Sequence, residues 1–250
     1  MPKSPTDRRH FIIVGVLVVI ATVLMDILLK QALPLPVQAS IESLTIDQLI
    51  GWHLTIIAFL FSLIVVFMLY SVVLFRRRPD DDSDGAHFEG NTALEIVWTV
   101  VPLIFVVVFT FIGIDTLSNV TRAEENERVV QLRAFQWSWA FEYPEGFIAQ
   151  ELVLPINERA RMEMTSTDVL HSFWIPEMRV KQDIVPGITT VVRFTPIMAG
   201  EYKLRCSELC GLSHWSMLAP VRILEADEYE AWVAERTAGI APAVAQVEEE

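Results

Sequence analysis

The sequence predicts a membrane-anchored protein in which apolar helices at the N-terminus are followed by an all-β domain outside the membrane. Three long segments contain no Asp, Glu, Lys or Arg, namely residues 11–25, 48–75 and 96–114. After residue 122, short β-branched and apolar runs alternate with Pro and Gly. The chain is 52% hydrophobic yet 20% charged, a mixture that indicates membrane spans joined to a soluble part.

The three apolar segments are candidates for transmembrane helices, which need about 20 residues to cross the hydrocarbon core. The second and third segments are long enough alone, and the first is long enough if it continues past Asp26 to Leu29. Basic residues cluster before the first segment and at 76–78 after the second. Because such clusters stay in the cytoplasm, the chain beyond about residue 116 is predicted to lie outside it.

The first segment has two interpretations. A basic start, an apolar stretch and the sequence Val-Gln-Ala before Ser40 resemble a cleaved signal peptide. However, two prolines and several other residues separate the apolar stretch from that site. A retained helix therefore fits the segment as well, and the predicted topology of the remaining chain is the same in both cases.

Four regions follow from this division of the chain. They are the N-terminal apolar segment at 1–40, a transmembrane helical hairpin at 41–118, an extracytoplasmic β domain at 119–237 and an acidic tail at 238–250. Within the β domain, turn residues punctuate short strands in the manner of an antiparallel β sandwich or barrel. The apolar spacing in residues 226–236 predicts a short amphipathic helix near its end.

Charge and motif content exclude several classes of function. The formal net charge is −13, which argues against a nucleic acid partner because phosphate binding needs a basic face. From Thr116 onward there are 12 Lys and Arg against 21 Asp and Glu, so the outer part favours a cationic partner. The sequence contains no Walker, GxGxxG, HExxH or GxSxG motif, and nucleotide-binding, zinc-protease and hydrolase functions therefore have no support.

The strongest functional signal is a cluster of metal-binding residue types in residues 206–217. This stretch contains both cysteines of the chain, a histidine and a methionine, and a second histidine, His171, lies upstream. Thiolate, imidazole and thioether are soft ligands that suit copper, whereas calcium and magnesium prefer oxygen ligands. A single blue-copper site uses one cysteine, so two cysteines favour two coppers bridged by both thiolates, with one histidine for each metal.

Two other structures also fit these residues. Two cysteines outside the cytoplasm commonly form a disulfide, although a Cys-x3-Cys ring is small and gives His214 and Met217 no role. A zinc site with two cysteines and two histidines uses four of the same donors, although this spacing is unlike that of the usual zinc finger. The identity of the bound metal separates these alternatives.

The motifs resemble those of subunit II of cytochrome c oxidase. The pattern Cys-x-Glu-x-Cys-Gly-x-x-His-x-x-Met covers residues 206–217, and Asp-Val-Leu-His-Ser-Phe covers 168–173. Gln-Trp-Ser-Trp-x-Phe-Glu-Tyr at 136–143 and Glu-x-x-Trp-Thr-x-x-Pro at 95–102 belong to the same resemblance. It implies a cupredoxin-like Greek-key sandwich or barrel behind a two-helix membrane hairpin, in the cell membrane of a prokaryote.

The resemblance also implies a ligand set for a dinuclear copper (CuA) centre. Two thiolates would bridge the metals, two histidines would be terminal ligands, a methionine would be a weak ligand and a glutamate would bind through its backbone carbonyl. The glutamate side chain would also reach a magnesium or manganese ion shared with subunit I. The six residues at these positions are His171, Cys206, Glu208, Cys210, His214 and Met217.

Trp137 has an ordinary interpretation and a functional one. The aromatic residues from Phe135 to Tyr143 alternate with smaller or polar residues, which predicts a strand with one aromatic face packed in the core. The resemblance instead implies that Trp137 is the exposed point where electrons enter from cytochrome c. The two interpretations conflict because Trp139 shares the predicted face of Trp137, unless a bulge or a strand end lies between them.

Glu95 lies at the predicted cytoplasmic start of the third apolar segment. An acidic residue is favoured there simply by the helix N-terminus, but an ionisable residue at a membrane boundary is also a candidate for proton handling. The resemblance implies that this glutamate marks the entrance of a proton path into subunit I.

Together these features predict the copper-bearing subunit II of a haem–copper cytochrome c oxidase. It would accept electrons from cytochrome c and pass them to haem in subunit I, where oxygen is reduced to water and protons are pumped. A quinol oxidase subunit would lack the copper ligands, and nitrous oxide reductase would have a large propeller domain and no two-helix anchor. A structural zinc or disulfide module of a membrane-anchored binding protein is the remaining alternative.

Overall fold

The computed structural model describes residues 5–77, 79, 84 and 89–238 of the 250-residue chain. These residues form two compact units. The described residues within 1–35 and 47–111 form one unit, and those within 36–46 and 112–250 form the other. All but one residue of the predicted acidic tail lies outside the described residues.

Three long apolar helices precede the β domain, and each is long enough to cross a membrane. They are α1 at Pro5–Ala32, α2 at Ile41–Leu74 and α3 at Thr92–Thr121, with 28, 34 and 30 residues. Since a helix rises about 1.5 Å per residue, each exceeds the thickness of the hydrocarbon core. The predicted apolar N-terminal helices are confirmed, and the first segment is a complete helix in its own right.

Polar contacts join α1 to α2 near both ends of α1. The hydroxyl of Thr55 donates to the carboxylate of Asp26 at 2.8 Å, and the Nδ1 atom of His10 lies 2.6 Å from the hydroxyl of Tyr70. Between these pairs, small or branched side chains are buried, namely Val14, Val18, Ala58 and Ser62. Small residues and interhelical hydrogen bonds are what holds apolar helices together in lipid.

The second unit is a sandwich of ten strands in two five-stranded sheets. The first sheet has the order β3-β2-β1-β5-β8 and the second has the order β4-β10-β9-β6-β7. The strands are β1 Arg128–Phe135, β2 Ser138–Glu142, β3 Ile148–Ala149, β4 Leu152–Pro155, β5 Ala160–Ser166, β6 His171–Ile175, β7 Val180–Ile184, β8 Thr190–Phe194, β9 Gly200–Cys206 and β10 Leu218–Leu224.

Alternating burial along the strands builds the core between the sheets. In β1, for example, Val130, Leu132 and Ala134 are buried while the residues between them face outward or lie at the edge, as the two-residue period of a strand requires. Helix α4, at Ala226–Ala238, adds Trp232, whose ring lies edge-on to Tyr143 at 5.1 Å between centroids. The predicted C-terminal helix is therefore confirmed, and it packs on the aromatic end of the core.

Two details of the predicted sheet are wrong. The predicted antiparallel pairing does not hold throughout, because β1 pairs with β5 and β10 pairs with β4 in parallel. Parallel pairing needs a long crossover connection, and here other strands lie within these connections. The predicted continuous aromatic strand at 135–143 is also wrong. It is a hairpin of β1 and β2 with Phe135 opposite Ser138, so that residues 136 and 137 form a two-residue turn.

The segment before α2 is part of the β unit. The Ala39 N–H donates to the carbonyl of Glu177 at 3.0 Å, and the Ser40 hydroxyl donates to the carbonyl of Met178 at 2.8 Å. Ser40 also accepts from the Ser43 N–H at 3.0 Å, which caps the start of α2. Both Ala39 and Ser40 are fully buried.

A buried arginine forms hydrogen bonds to the chain segments at the start of α2 and at the end of α3. Arg159 donates to the carboxylate of Glu42 at 2.8 Å, to the carbonyl of Val120 at 2.9 Å and to the carbonyl of Arg122 at 3.0 Å. Glu42 also accepts from the Thr195 N–H at 2.8 Å. A buried charge is tolerated when it is paired, and here the pairing connects the start of α2, the end of α3 and the sandwich.

Candidate metal centre

Two free cysteines and a histidine form a buried cluster at one end of the second sheet. One ligand atom each from His171, Cys206 and Cys210 lies within 4.8 Å of the others. The two Sγ atoms are 3.7 Å apart, compared with about 2.05 Å in a disulfide. The thiols are therefore separate groups that are close enough to contact the same metal ions.

The strands and one short loop bring these residues together. His171 is the first residue of β6 and Cys206 is the last residue of β9, and the two strands are paired through Phe173 opposite Cys206. The loop that follows Cys206 returns at Met217, immediately before β10, where the Cys206 N–H donates to the Met217 carbonyl at 3.1 Å. Both ends of the loop are thus fixed by sheet structure.

The remaining predicted donors lie around the two thiols. His214 Nδ1 is 3.5 Å and Met217 Sδ is 3.7 Å from the Sγ atom of Cys210. On the other side, the Glu208 carbonyl oxygen is 3.3 Å and His171 Nδ1 is 3.8 Å from the Sγ atom of Cys206. All six residues that the sequence singled out therefore converge, with one histidine beside each cysteine.

The chemistry of this donor set fits copper. It combines two thiols, two imidazoles, a thioether and a backbone carbonyl, and soft sulfur and imidazole ligands of this kind suit copper. Structural zinc sites are closed by four ligands, which would leave the buried thioether of Met217 and the Glu208 carbonyl without a role. The carboxylate of Glu208 points instead toward Lys181, with 3.6 Å between Oε1 and Nζ.

Burial affects the ionisation of the Cys210 thiol. Burial, and then the hydrogen bond and charge of neighbouring Cys206, raise the pKa of Cys210 to about 11. A thiol with this pKa is protonated at neutral pH, and thiolate is the form that binds metal. Metal binding to this cluster therefore releases a proton.

Asp168, which is not among the predicted site residues, orients His171. His171 Nε2 lies 2.8 Å from Asp168 Oδ1, so this nitrogen carries the proton and Nδ1 is left free on the side of Cys206. Burial opposes ionisation of Asp168, but hydrogen bonds from the Gln136 N–H and from His171 hold its pKa below the ordinary value. The spacing of Asp three residues before His was the available signal, since metal-binding histidines commonly use a carboxylate in this way.

The structure resolves the conflict over Trp137. Trp139 is 1% exposed in the core, whereas Trp137 is 39% exposed in the turn between β1 and β2. The ring of Trp137 lies against Gly211, whose φ is +122° and where a Cβ atom would approach the indole to 3.2 Å. The exposed tryptophan therefore contacts the residue that follows Cys210.

Glu95 belongs to the helical unit and is separate from this cluster. It lies in the first turn of α3, where its N–H donates to the Asn91 carbonyl at 2.9 Å. The Asn91 side chain accepts from the Leu94 N–H at 3.1 Å and so caps the helix. This is the helix-terminus environment that the ordinary interpretation of Glu95 expects.

Comparison with known proteins agrees with the geometry. The family profile "Cytochrome C oxidase subunit II, periplasmic domain" matches residues 147–224, and the profile "Cytochrome C oxidase subunit II, transmembrane domain" matches residues 29–115. "Cytochrome c oxidase subunit 2" of Synechocystis sp. is 31% identical over 248 residues, which cover 80% of this chain and 75% of the relative. The chain belongs to the cytochrome c oxidase subunit II family.

Other subunit II proteins show comparable sequence identity to this chain. "Cytochrome c oxidase subunit 2" of Alkalihalophilus pseudofirmus is 39% identical over 191 residues, covering 72% of this chain and 56% of the relative. Among solved structures, the periplasmic domain of subunit II (CoxB) of Bradyrhizobium japonicum covers 48% of this chain and 100% of its own, with 28% identity and a TM-score of 0.45.

Membership of the family, the three apolar helices and the two-sheet sandwich together confirm the predicted fold class of apolar N-terminal helices followed by a β sandwich. Subunit II is part of cytochrome c oxidase, an oxidoreductase complex, so the predicted enzyme class is also confirmed. The family together with the His/Cys/Cys cluster indicates a copper site. The leading part of α1, before residue 29, lies outside both matched profiles.

Proposed function

We propose that this chain is the electron-entry subunit of its oxidase. It takes single electrons from cytochrome c at a dinuclear copper centre and passes them to haem in subunit I, where oxygen is reduced to water and protons are pumped. The observation that carries this proposal is the arrangement of the donors. Two thiols lie 3.7 Å apart, with His171 beside one of them and His214 beside the other.

Each donor has a role in the proposed centre. Cys206 and Cys210 would hold both metals through their thiolates, and the two histidines would be terminal ligands. Met217 would be a weak ligand, and Glu208 would contribute its backbone carbonyl. The Glu208 carboxylate, which is 36% exposed, remains available for a magnesium or manganese ion shared with subunit I.

The bound copper pair would supply reversible one-electron chemistry. The protein would keep the surroundings of the copper unchanged during electron transfer. His171 and Met217 are fully buried and the two cysteines nearly so, which excludes water from most of the donors. Both loop ends are fixed in the sheet, and Asp168 holds the ring of His171. Little therefore has to move when the charge changes, which favours fast electron transfer over substrate binding.

Two surfaces support the proposed partners. On the metal loop, Leu209, Leu212 and Trp215 are 80–89% exposed, and apolar exposure of this kind marks an interaction site, which we assign to subunit I and neighbouring oxidase subunits. The acidic excess of the outer domain favours a lysine-rich cytochrome c, with attraction that weakens as salt rises.

We further propose that the copper domain lies on the outer side of a prokaryotic cell membrane, behind three retained helices. The basic clusters near Arg8 and Arg76 stay in the cytoplasm. Retention of α1 is supported by its polar contacts with α2 at Asp26–Thr55 and His10–Tyr70. Retention is also supported by the burial of Ala39 and Ser40, because signal-peptide cleavage at the peptide bond between them would separate two fully buried residues.

The ligand assignment predicts the effect of replacing either thiol. Cys206→Ser and Cys210→Ser should each abolish the paramagnetic resonance signal of an electron shared by two coppers, because a hydroxyl does not bridge copper as a thiolate does. Ser216→Ala, in the same loop with its hydroxyl bonded to the Ser213 carbonyl, is the matched control and should keep the signal. A dinuclear signal in either cysteine variant would contradict the assignment.

The electron-entry role predicts a kinetic defect in Trp137→Leu. Reduction of the copper by cytochrome c should slow by about tenfold or more, because the indole that connects the donor to the metal loop is lost. Copper content should not change. Trp174→Leu is the control, since Trp174 is 37% exposed against 39% for Trp137 but lies on β6 and not in the turn. Equal rates in the two variants would contradict the role.

The proton role of Glu95 predicts slow turnover in Glu95→Gln. In the assembled oxidase, turnover and proton uptake should fall about tenfold or more, since the glutamine cannot relay a proton, while reduction of the copper stays normal. Asp115→Asn, near the other end of α3, should leave both rates unchanged. If the two variants behave alike, Glu95 serves only the helix terminus.

Retention of α1 predicts which peptides the mature chain contains. Peptide mapping of the purified subunit by mass spectrometry should recover peptides from α1, Pro5–Ala32. A mature chain that begins at Ser40 would contradict the proposal.

A further inference from the structure

Gln136, the residue before Trp137, forms hydrogen bonds through both its main chain and its side chain. Its backbone N–H donates to Asp168 Oδ2 at 2.6 Å, and its side-chain Nε2 donates to the carbonyl of Cys210 at 2.7 Å. An exposed polar residue in a two-residue hairpin turn is ordinarily solvated. Here it makes two short bonds to groups far away in the sequence.

The two acceptors belong to the two segments that carry the metal-binding cluster. Asp168 also accepts from His171 at 2.8 Å, and Cys210 is one of the two cluster thiols. Gln136 therefore connects the turn to the β6 side of the cluster through Asp168 and to the metal loop through Cys210. A hydrogen bond to a carboxylate is stronger than one between neutral groups, so the backbone end of this connection is the firmer one.

Close packing at Gly211 also fixes the distance between this turn and the metal loop. A Cβ atom at this position would lie 2.8 Å from Gln136 Nε2 and 3.2–3.3 Å from the indole of Trp137. The absence of a side chain at Gly211 thus allows both Gln136 and Trp137 to lie directly on the metal loop. With the turn hydrogen-bonded on one side and in van der Waals contact on the other, the indole has a defined place beside Cys210.

We propose that Gln136 is a positioning residue for electron entry, acting through its hydrogen bond to the Cys210 carbonyl. This proposal rests on the proposed function of Trp137. One electron leaves the reduced haem iron of the donor, passes the indole and reduces the copper pair by one electron. Gln136 gains and loses neither electron nor proton; it keeps the indole in contact with the metal loop, where small displacements are costly in rate.

The test replaces the amide by a side chain of similar length that cannot donate. Gln136→Met removes the bond to Cys210 and leaves the backbone bond to Asp168 in place. Gln131→Met is the matched control, because Gln131 is exposed on β1 of the same hairpin, opposite Glu142. Both variants are compared with the wild-type subunit in the assembled, copper-loaded oxidase.

Four quantities are measured: copper per chain, the paramagnetic resonance spectrum, the copper reduction rate as cytochrome c concentration varies, and the rate with a freely diffusing ruthenium photoreductant. In Gln136→Met the limiting rate with cytochrome c should fall about tenfold. The half-saturating concentration, the copper content, the spectrum and the ruthenium rate should not change. Gln131→Met should match the wild type in every measurement.

Three results would overturn the proposal. An unchanged limiting rate would show that the hydrogen bond does not affect electron entry. A change confined to the half-saturating concentration would make Gln136 a docking residue. Loss of copper would make Gln136 a structural support of the metal loop. Gln136→Lys, which keeps an N–H donor at similar reach, should restore the limiting rate; if it is as slow as Gln136→Met, the hydrogen bond is not the cause.

Failure of this proposal is distinguishable from failure of the proposed function. Failure of the wild-type chain to bind copper would contradict the proposed function, whereas the positioning role is judged only from differences between copper-loaded proteins.

Discussion

The fixed separation of two buried thiols is the constraint on which the site depends. Cys206 ends a strand and Cys210 follows four residues later in a loop that the sheet holds at both ends, through the hydrogen bond from Cys206 to the Met217 carbonyl. This arrangement keeps the Sγ atoms 3.7 Å apart in a buried environment. A longer or unanchored loop would let the thiols move, and the histidines beside them would lose a common geometry.

The loop that holds the thiols also presents the groups through which electrons are proposed to arrive and leave. Gly211 allows the turn with Trp137 to pack on it, and Gln136 and Asp168 tie that turn to both ligand-bearing segments. Leu209, Leu212 and Trp215 project from the same loop to the solvent. The short connection between Cys206 and Met217 thus serves the metal, the donor side and the proposed subunit I side together.

Much of this could be predicted from the sequence because it is encoded locally. Long charge-free segments specify membrane helices, and the order of the six donors specifies the cluster that the structure brings together. The turn at 136–137 could not be read from periodicity, since alternation of aromatic residues continues across the hairpin and the break depends on the pairing of Phe135 with Ser138. The role of Gln136 depends on contacts across 74 and 32 residues, which no local pattern records.

The proposed dinuclear copper centre is tested most directly by the metal content and paramagnetic resonance spectrum of the purified wild-type chain. We expect two coppers per chain, and in the oxidised form one unpaired electron whose hyperfine splitting comes from two copper nuclei. Zinc in place of copper, a single copper with a mononuclear spectrum, or a Cys206–Cys210 disulfide without metal would contradict the proposed centre.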